Sequence, residues 1–206
     1  MSASSTIHTL SANQQAIAAL IPTGSRVLDL GCGDGRLLAH LRDVRQCRTY
    51  GVEIDDTNLI ACVQKGLNVI QLNLEAGLSM FGDASFDVVL QLDTLPNIRH
   101  TEAALRETAR VGKRGIISFA NFAYWPLRMQ VLGGRLPVTK ELPYEWYNTP
   151  NVRVATYADF AALAAKCQLR VRDAFALNAG AQVRWLPNLR GSEAVFVFSA
   201  PSAAAA

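Results

Sequence analysis

The stretch RVLDLGCGDGRLL, residues 26–38, constrains the fold more than any other. Strand formers from Arg26 to Asp29 run into Gly31, Gly33 and Gly35, and an apolar pattern of helical spacing starts at once. A glycine stiffens nothing and packs nothing, so three at one turn need a reason. They let the main chain turn tightly and bring its N–H groups close to a ligand with no Cβ in the way. The helix start that follows adds N–H donors and a partial positive charge. A nucleotide-like ligand suits such a turn.

The rest of the chain supports a parallel sheet around that turn. Strand patterns at 26–29, 48–54, 68–72, 86–92 and 114–120 alternate with helical patterns at 34–41, 56–66 and 101–111. This alternation predicts an α/β fold with parallel strands. FDVVLQL, residues 86–92, is almost wholly apolar, as expected of a strand covered on both faces. A short amphipathic helix precedes the first strand, within residues 9–21. Toward the C-terminus the alternation breaks. A helix over 157–167 is followed by strand patterns at 169–177 and 194–200, with no helical periodicity between them. Two strands joined in that way pair antiparallel, so the sheet is expected to close with a hairpin. The chain reads as a single domain over 1–206, with a disordered tail at 201–206.

Composition narrows the function. The charge of +3 is mild and the arginines are scattered, which argues against nucleic acid. No apolar run reaches the about 18 residues of a membrane span. The N-terminus lacks the basic start and apolar core of a signal peptide. Cys32, Cys47, Cys62 and Cys167 form no CxxC pair and fit no zinc spacing, so neither a metal nor a disulfide framework is expected. Reduced thiols point to a cytoplasmic protein. Cys32, inside the glycine turn, reads as a small residue that fits there rather than as a nucleophile.

The turn discriminates among nucleotides. A dinucleotide fingerprint wants glycines at its first, third and sixth positions, and Arg36 stands at the sixth. The phosphate loop GxxxxGK[ST] is absent. Residues 29–35 instead read as an acid followed by x-G-x-G-x-G. This run resembles the first motif of class I S-adenosylmethionine-dependent methyltransferases. The resemblance implies a three-layer Rossmann-like fold, with a mostly parallel seven-stranded sheet and an antiparallel C-terminal hairpin. It also implies that Asp29 holds the ammonium of the methionine moiety and that Gly31, Cys32, Gly33 and Gly35 pass under the cofactor. A carboxylate suits a ligand that carries an ammonium and a sulfonium. The plainer reading of Asp29 is a turn residue.

Further along, YGVEID places Glu53 at the end of the second strand, 22 residues beyond Gly31. A carboxylate there can accept hydrogen bonds from both ribose hydroxyls. The plainer reading is a solvated strand end. Ile54 follows it in the cofactor set, while Asp55 reads as the cap of the next helix. After the third strand, relatives often carry an Asp that accepts from the adenine amino group. Asn73 stands there and can still accept, with Leu74 flanking the ring. The fourth strand ends in QLDTLP, so Gln91 or Asp93 would face S-adenosylmethionine, or S-adenosylhomocysteine.

Residues 121–155 interrupt the fold. They hold four of the eight prolines and two of the three tryptophans, too long and too aromatic for a plain connector. They read as a lid over an acceptor, as a partner interface, or as packing on the sheet edge. ELPYEWYNTPNVR, residues 141–153, and the following TYADFAALA are similar to the methionine-biosynthesis protein MetW family. So are RVLDLGCGDGRLLAHLRD, YGVEIDDTNLIACVQKGLNVIQLNLEAGL and SFDVVLQLDTLPNIRH. The similarity runs from about Ser25 to Ser199. It implies a role in methionine synthesis beside a homoserine O-acyltransferase.

Two functions follow from these readings. One is an S-adenosylmethionine-binding companion of that acyltransferase. The other is an active methyltransferase on a small molecule. Asp93, His100 and Tyr144 are the candidates for a base near the carboxyl end of the sheet. The plainer reading of His100 is a solvated residue in a helix's first turn. No catalytic dyad stands at a telling spacing. A homo-oligomer is compatible with the sequence.

Overall fold

The computed structural model describes residues 9–139 and 142–200. The tail expected over 201–206 lies outside the described residues. Helix α1 (Ala12–Ala19) leads into β1 (Arg26–Leu30), α2 (Arg36–Arg45), β2 (Arg48–Glu53), α3 (Asp56–Gln64) and β3 (Asn68–Gln71). A turn of 3₁₀ helix at Leu74–Ala76 precedes β4 (Val88–Leu92), and another at Leu95–Asn97 precedes α4 (Thr101–Val111). Then come β5 (Gly115–Ala120), α5 (Trp125–Leu132), α6 (Tyr157–Lys166), β6 (Arg170–Asn178) and β7 (Ala181–Val183). A four-residue α7 (Pro187–Arg190) and β8 (Glu193–Ser199) finish the fold.

The strand order is β3-β2-β1-β4-β5-β8-β6-β7. The first five of these are parallel, and β8 enters antiparallel between β5 and β6. The order reverses between β1 and β4, which leaves a crevice at the carboxyl ends of those two strands. Helices cover both faces. Ile17 and Ala18 of α1 and Leu37 and Leu41 of α2 pack with Val27, Leu90, Ile116 and Val195 on one face. Leu105 of α4 and Phe160 and Ala164 of α6 pack with Ile117, Phe119, Phe196 and Phe198 on the other.

The expected seven strands become eight. The extra one is β7, which pairs with β6 through a two-residue turn at Ala179 and Gly180, both at positive φ. That is the geometry of the hairpin turns that match strand twist. Three residues are too few to show an alternation, and Ala179 stands where such turns prefer Asn or Gly, so the sequence hides it. The turn has a second task. Its Gly180 N–H donates to Asn13 Oδ1 at 2.7 Å, and a Cβ on Gly180 would lie 2.9 Å from Ala12 Cβ. The hairpin thus seats on the first turn of α1.

Residues 121–155 leave the sheet and return to it. Their two ends meet in a bridge between Asn121 and Ala155. The buried Asn121 side chain donates to Gly191 O and Asn188 O and accepts from Tyr157 N–H, tying the start of α6 to the segment before β8. Helix α5 lies inside this excursion, with Pro126 in its first turn, where its missing N–H costs nothing.

Candidate functional site

The turn after β1 is stitched to β2. Gly31 and Cys32 both donate their N–H to Val52 O, at 2.8 and 3.0 Å. The three glycines, all at positive φ, answer to three different demands. A Cβ on Gly31 would lie 2.5 Å from Thr94 Oγ1, the hydroxyl that ties the loop after β4 to Leu30 O. A Cβ on Gly35 would lie 2.5 Å from Leu67 and 2.7 Å from Cys62 Sγ, so Gly35 lets α2 sit close to α3. Beside Gly33 there is open space. This middle glycine is the one of the three whose lack of a side chain no packing demands.

Asp29 and Glu53 stand on either side of the turn, and both are buried. Glu53 is fully engaged with backbone. Its Oε2 accepts from Gly33 N–H at 2.7 Å, and its Oε1 accepts from Ile54 N–H at 2.8 Å and Asp55 N–H at 3.0 Å. Asp29 is different. Its Oδ1 is buried with no hydrogen-bond partner among the described residues. Burial, and then the charge of Glu53, push the Asp29 carboxyl up to about 7. A buried acid without a donor is costly unless something cationic meets it. Burial, and then the Asp29 charge, also push the Cys32 thiol up, so Cys32 is no ready thiolate.

Asp29, Gly31, Cys32 and Gly33 line a hollow of about 660 Å³, which Ser11, Asp93, Ser118 and Glu193 close on the far side. Its size falls within the range of small-molecule sites. A second cavity, of about 530 Å³, has Ser11, Asp93 and Glu193 in common with its lining. Tyr144 and Phe122 line that second cavity. Asp93 itself adopts φ +54°, uncommon for a residue other than glycine, and its N–H donates to Ser118 O at 2.9 Å.

The remaining sequence candidates are not gathered here. Asn73 caps the turn Leu74–Ala76, its Oδ1 accepting from Glu75 N–H at 3.0 Å, and Leu74 packs partly buried beside Phe86 and Val89. Ile54 is exposed at the end of β2. These positions lie at the strand ends beyond Glu53, outside the wall of the hollow. Gln91 is buried and lies with Leu30, Leu74 and Glu107 around a cavity of about 50 Å³, away from the hollow. His100 is exposed before α4, its Nε2 3.9 Å from Glu75 Oε2, and lines neither of the two joined cavities. Of the three base candidates, Asp93 and Tyr144 meet at one cavity and His100 does not.

Sequence reasoning missed Ser118, Glu193 and Asn13. Ser118 is the one hydroxyl in GIISFA, and Glu193 precedes AVFVFS. A lone polar residue in a strand buried on both faces was the available signal. Glu193 is buried and accepts from Asn13 Nδ2 at 2.6 Å. Asn13 sits in the first turn of α1, a position only the folded chain brings to β8.

The sequence matches the family described as "Methionine biosynthesis protein MetW" over residues 11–198. The chain belongs to the MetW family. It is 43% identical over 161 residues to the "Bifunctional methionine biosynthesis protein MetXA/MetW" of Rhodopirellula baltica, covering 73% of this chain and 26% of that one. This MetW-family chain therefore spans about a quarter of that relative's length. Among solved structures it is similar to an S-adenosylmethionine-dependent methyltransferase of Thermotoga maritima, a possible histamine N-methyltransferase. The TM-score is 0.66 and the identity 19%, over 91% of this chain and 87% of that one. It is also similar to a TehB-like S-adenosylmethionine-dependent methyltransferase of Corynebacterium glutamicum. There the TM-score is 0.63 and the identity 20%, over 93% and 88%. At these identities the likeness establishes the fold, which is that of class I methyltransferases.

Proposed function

We propose that this MetW-family chain binds S-adenosylmethionine at the carboxyl ends of β1 and β2 and acts in methionine synthesis as the companion of a homoserine O-acyltransferase. One observation carries the first half. Asp29 Oδ1 is buried, has no partner among the described residues, and belongs to a hollow walled by Gly31 and Gly33. The ligand's ammonium is the kind of donor such an oxygen lacks. In this reading Asp29 holds the ammonium, Gly33 leaves room for the nucleoside, and Glu53 takes ribose hydroxyls beside its backbone donors. Ile54, Asn73 and Leu74 border the adenine. When bound, the sulfonium supplies an electrophilic methyl group.

The second half draws on the fused relative, whose printed name joins MetXA and MetW in one chain. Two activities fused in one organism are held side by side there, and separate chains that do the same must find each other. The exposed aromatic residues of the excursion, Trp125, Trp146 and Tyr147, suit that task. No helix among the described residues is long and apolar enough to cross a membrane.

Calorimetric titration with S-adenosylmethionine and S-adenosylhomocysteine tests the first half. Heat of binding that Asp29→Ala abolishes is the expected result, and no heat with either compound overturns it. Co-purification with the acyltransferase, and an acyl-transfer rate that depends on this chain, test the second. If saturating S-adenosylmethionine alters that rate or the complex, the chain also reports the pathway's downstream product.

A second reading, methyl transfer to a small molecule, is favoured by the second cavity. It shares Ser11, Asp93 and Glu193 with the hollow, beside which an acceptor belongs. Methyl incorporation into a defined acceptor, lost in Asp29→Ala, is its test.

A further inference from the structure

Two cysteine sulfurs meet beneath the glycine turn. Cys32, in the turn, and Cys62, in α3, hold their Sγ atoms 3.9 Å apart. Glycines on both sides make the room. A Cβ on Gly51 of β2 would lie 2.6 Å from Cys32 Sγ, and a Cβ on Gly35 would lie 2.7 Å from Cys62 Sγ. Each sulfur thus fills a slot that a neighbouring glycine leaves open. The two residues are 30 apart in sequence, so no short spacing announces the pair.

The pair is built into the turn's own hydrogen bonding. The Cys62 thiol donates to Gly33 O at 3.2 Å, and Gly33 N–H donates to Glu53 Oε2. Lys65, which caps the end of α3, donates from Nζ to Asp34 O at 2.6 Å. Helix α3 therefore holds the turn at two successive carbonyls. The two cysteines differ in access. Cys32 is half-buried and lines the hollow. Cys62 is fully buried in a cluster with Leu38, Ala39 and Leu67. A reagent that enters the hollow meets Cys32 first, and Cys62 waits behind it.

We propose that Cys32 and Cys62 form a reversible oxidation site, and that their disulfide lowers the affinity of the turn for its ligand. The oxidant is a low-molecular-weight disulfide such as oxidised glutathione. The Cys32 thiolate attacks one of its sulfurs and expels a glutathione thiolate, which takes up the proton that Cys32 gave up. The Cys62 thiolate then attacks Cys32 Sγ in the mixed disulfide and expels the second glutathione in the same way. The protein loses two hydrogens with their electrons, and one glutathione disulfide becomes two thiols. The new bond requires the sulfurs to close from 3.9 Å to about 2.05 Å. Cys62 is fixed in a packed helix, so the turn is what moves. Gly33 O loses its S–H donor in the same step. Burial, joined at Cys32 by the charge of Asp29, pushes both thiols up. The exchange is therefore slow, on a scale of minutes to hours, and the pair answers to a lasting change in redox poise rather than to a brief pulse.

The inference deepens the reading above and rests on it for the ligand, S-adenosylmethionine. The test keeps the two apart. The full chain is equilibrated in glutathione buffers of rising oxidised share. Intact mass, peptide mapping, hydrogen exchange over residues 31–35 and titration with S-adenosylhomocysteine follow. A loss of two hydrogens that maps to Cys32 and Cys62 is expected, with faster exchange in the turn. The Kd for S-adenosylhomocysteine should rise about tenfold, the loss of about one hydrogen bond. Dithiothreitol should restore the starting values. By reciprocity, saturating S-adenosylhomocysteine should raise the reduction potential of the pair by about 30 mV, because it favours the dithiol by that same factor. Cys62→Ser, whose hydroxyl can still donate to Gly33 O, should show no mass loss. No loss at the most oxidising buffer, a loss that maps to other cysteines, or a Cys32–Cys62 disulfide that leaves the turn's exchange no faster overturns the proposal. So does S-adenosylhomocysteine binding as tightly to the oxidised chain as to the reduced one. If that compound binds neither form while the disulfide still speeds exchange in the turn, the donor reading falls and the oxidation site stands.

Discussion

Glu53 Oε2 accepts the Gly33 amide hydrogen at 2.7 Å, so the acid that ends β2 grips the open side of the turn that ends β1. The same carboxylate takes two more N–H groups, from Ile54 and Asp55. Removing it leaves three backbone donors to find new partners in a largely buried place. Glu53→Ala should therefore cost about 2–4 kcal/mol, at about 1–3 kcal/mol for each buried donor left unpaired and some reached by water. Glu53→Gln should cost less, because one amide oxygen remains to accept. Urea unfolding of the three proteins measures this. An alanine variant within 0.5 kcal/mol of the parent, a bound of about the scatter among neutral surface changes, would show that the turn holds without its acid.

Asp29 sets a pH dependence of definite sign. Its carboxyl titrates near 3.8 when unfolded and is pushed up to about 7 in the fold by burial and by Glu53. Between those values the folded chain keeps a proton that the unfolded chain gives up. Stability is thus greatest on the acid side of this window and falls as pH rises toward 7, by at most about 1.4 kcal/mol per unit. Asp29→Asn should flatten that fall and leave the chain about 2–4 kcal/mol more stable at pH 8. It should bind S-adenosylmethionine worse, since the neutral amide cannot pair with an ammonium. Unfolding at pH 5.5 and 8, alongside calorimetry, reads both. A less stable Asn variant at pH 8 would mean that Asp29 is satisfied by the protein itself.

The glycines separate folding from binding. A Cβ at Gly35 collides with Leu67 and Cys62, whereas a Cβ at Gly33 meets nothing within 4 Å. Gly35→Ala should lose about 2–4 kcal/mol, from overpacking added to a strained φ. Gly33→Ala carries the φ strain alone, about 1 kcal/mol. Yet the Gly33 variant should be the one that loses cofactor affinity at a stability it can tolerate, by about tenfold for each 1.4 kcal/mol of lost contact. Thermal melts and calorimetry on both decide it. Tight binding by Gly33→Ala would place the ligand elsewhere.

These contrasts also mark what the sequence makes legible. The apolar runs and turn residues around β1 to β5 carry the parallel half of the sheet, because each element there is long enough to show its own period. The acid and the glycines could be placed at strand tips for the same reason. What they could not reveal is contact across the chain. Asn13 reaches Glu193 over 180 residues of sequence, and Gly180 seats on Asn13, so the far wall of the hollow exists only after folding. Gln91 and Asp93 look equivalent as neighbours of a strand end. Two apart, they would share a face in a regular strand, but β4 ends at Leu92 and Asp93 turns at φ +54°, so Gln91 stays on the α4 side while Asp93 reaches the crevice. Helix α5 escaped notice because Trp125, Pro126 and the exposed Met129 and Leu132 give it no clear apolar stripe.

The excursion itself offers a last prediction. Trp146 and Tyr147 are 73% and 70% exposed and meet each other edge to face, with ring centres 5.8 Å apart. They contribute little to the core, so their exposure serves something outside it. Tyr144, two residues before Trp146, lines the second cavity instead. The same segment therefore has a side turned to the site and a side turned outward. Replacing Trp146 and Tyr147 together by Ala should change unfolding free energy by no more than about 0.5 kcal/mol. It should leave calorimetric binding of S-adenosylmethionine intact and reduce capture of the acyltransferase by about a hundredfold, as for two central aromatic anchors. Tyr144→Ala should do the reverse, sparing the complex and weakening ligands of the second cavity. If the double variant still captures the acyltransferase at the parent's affinity, the partner seats elsewhere, and the exposed pair has to be explained as a lid that closes when the cavity fills.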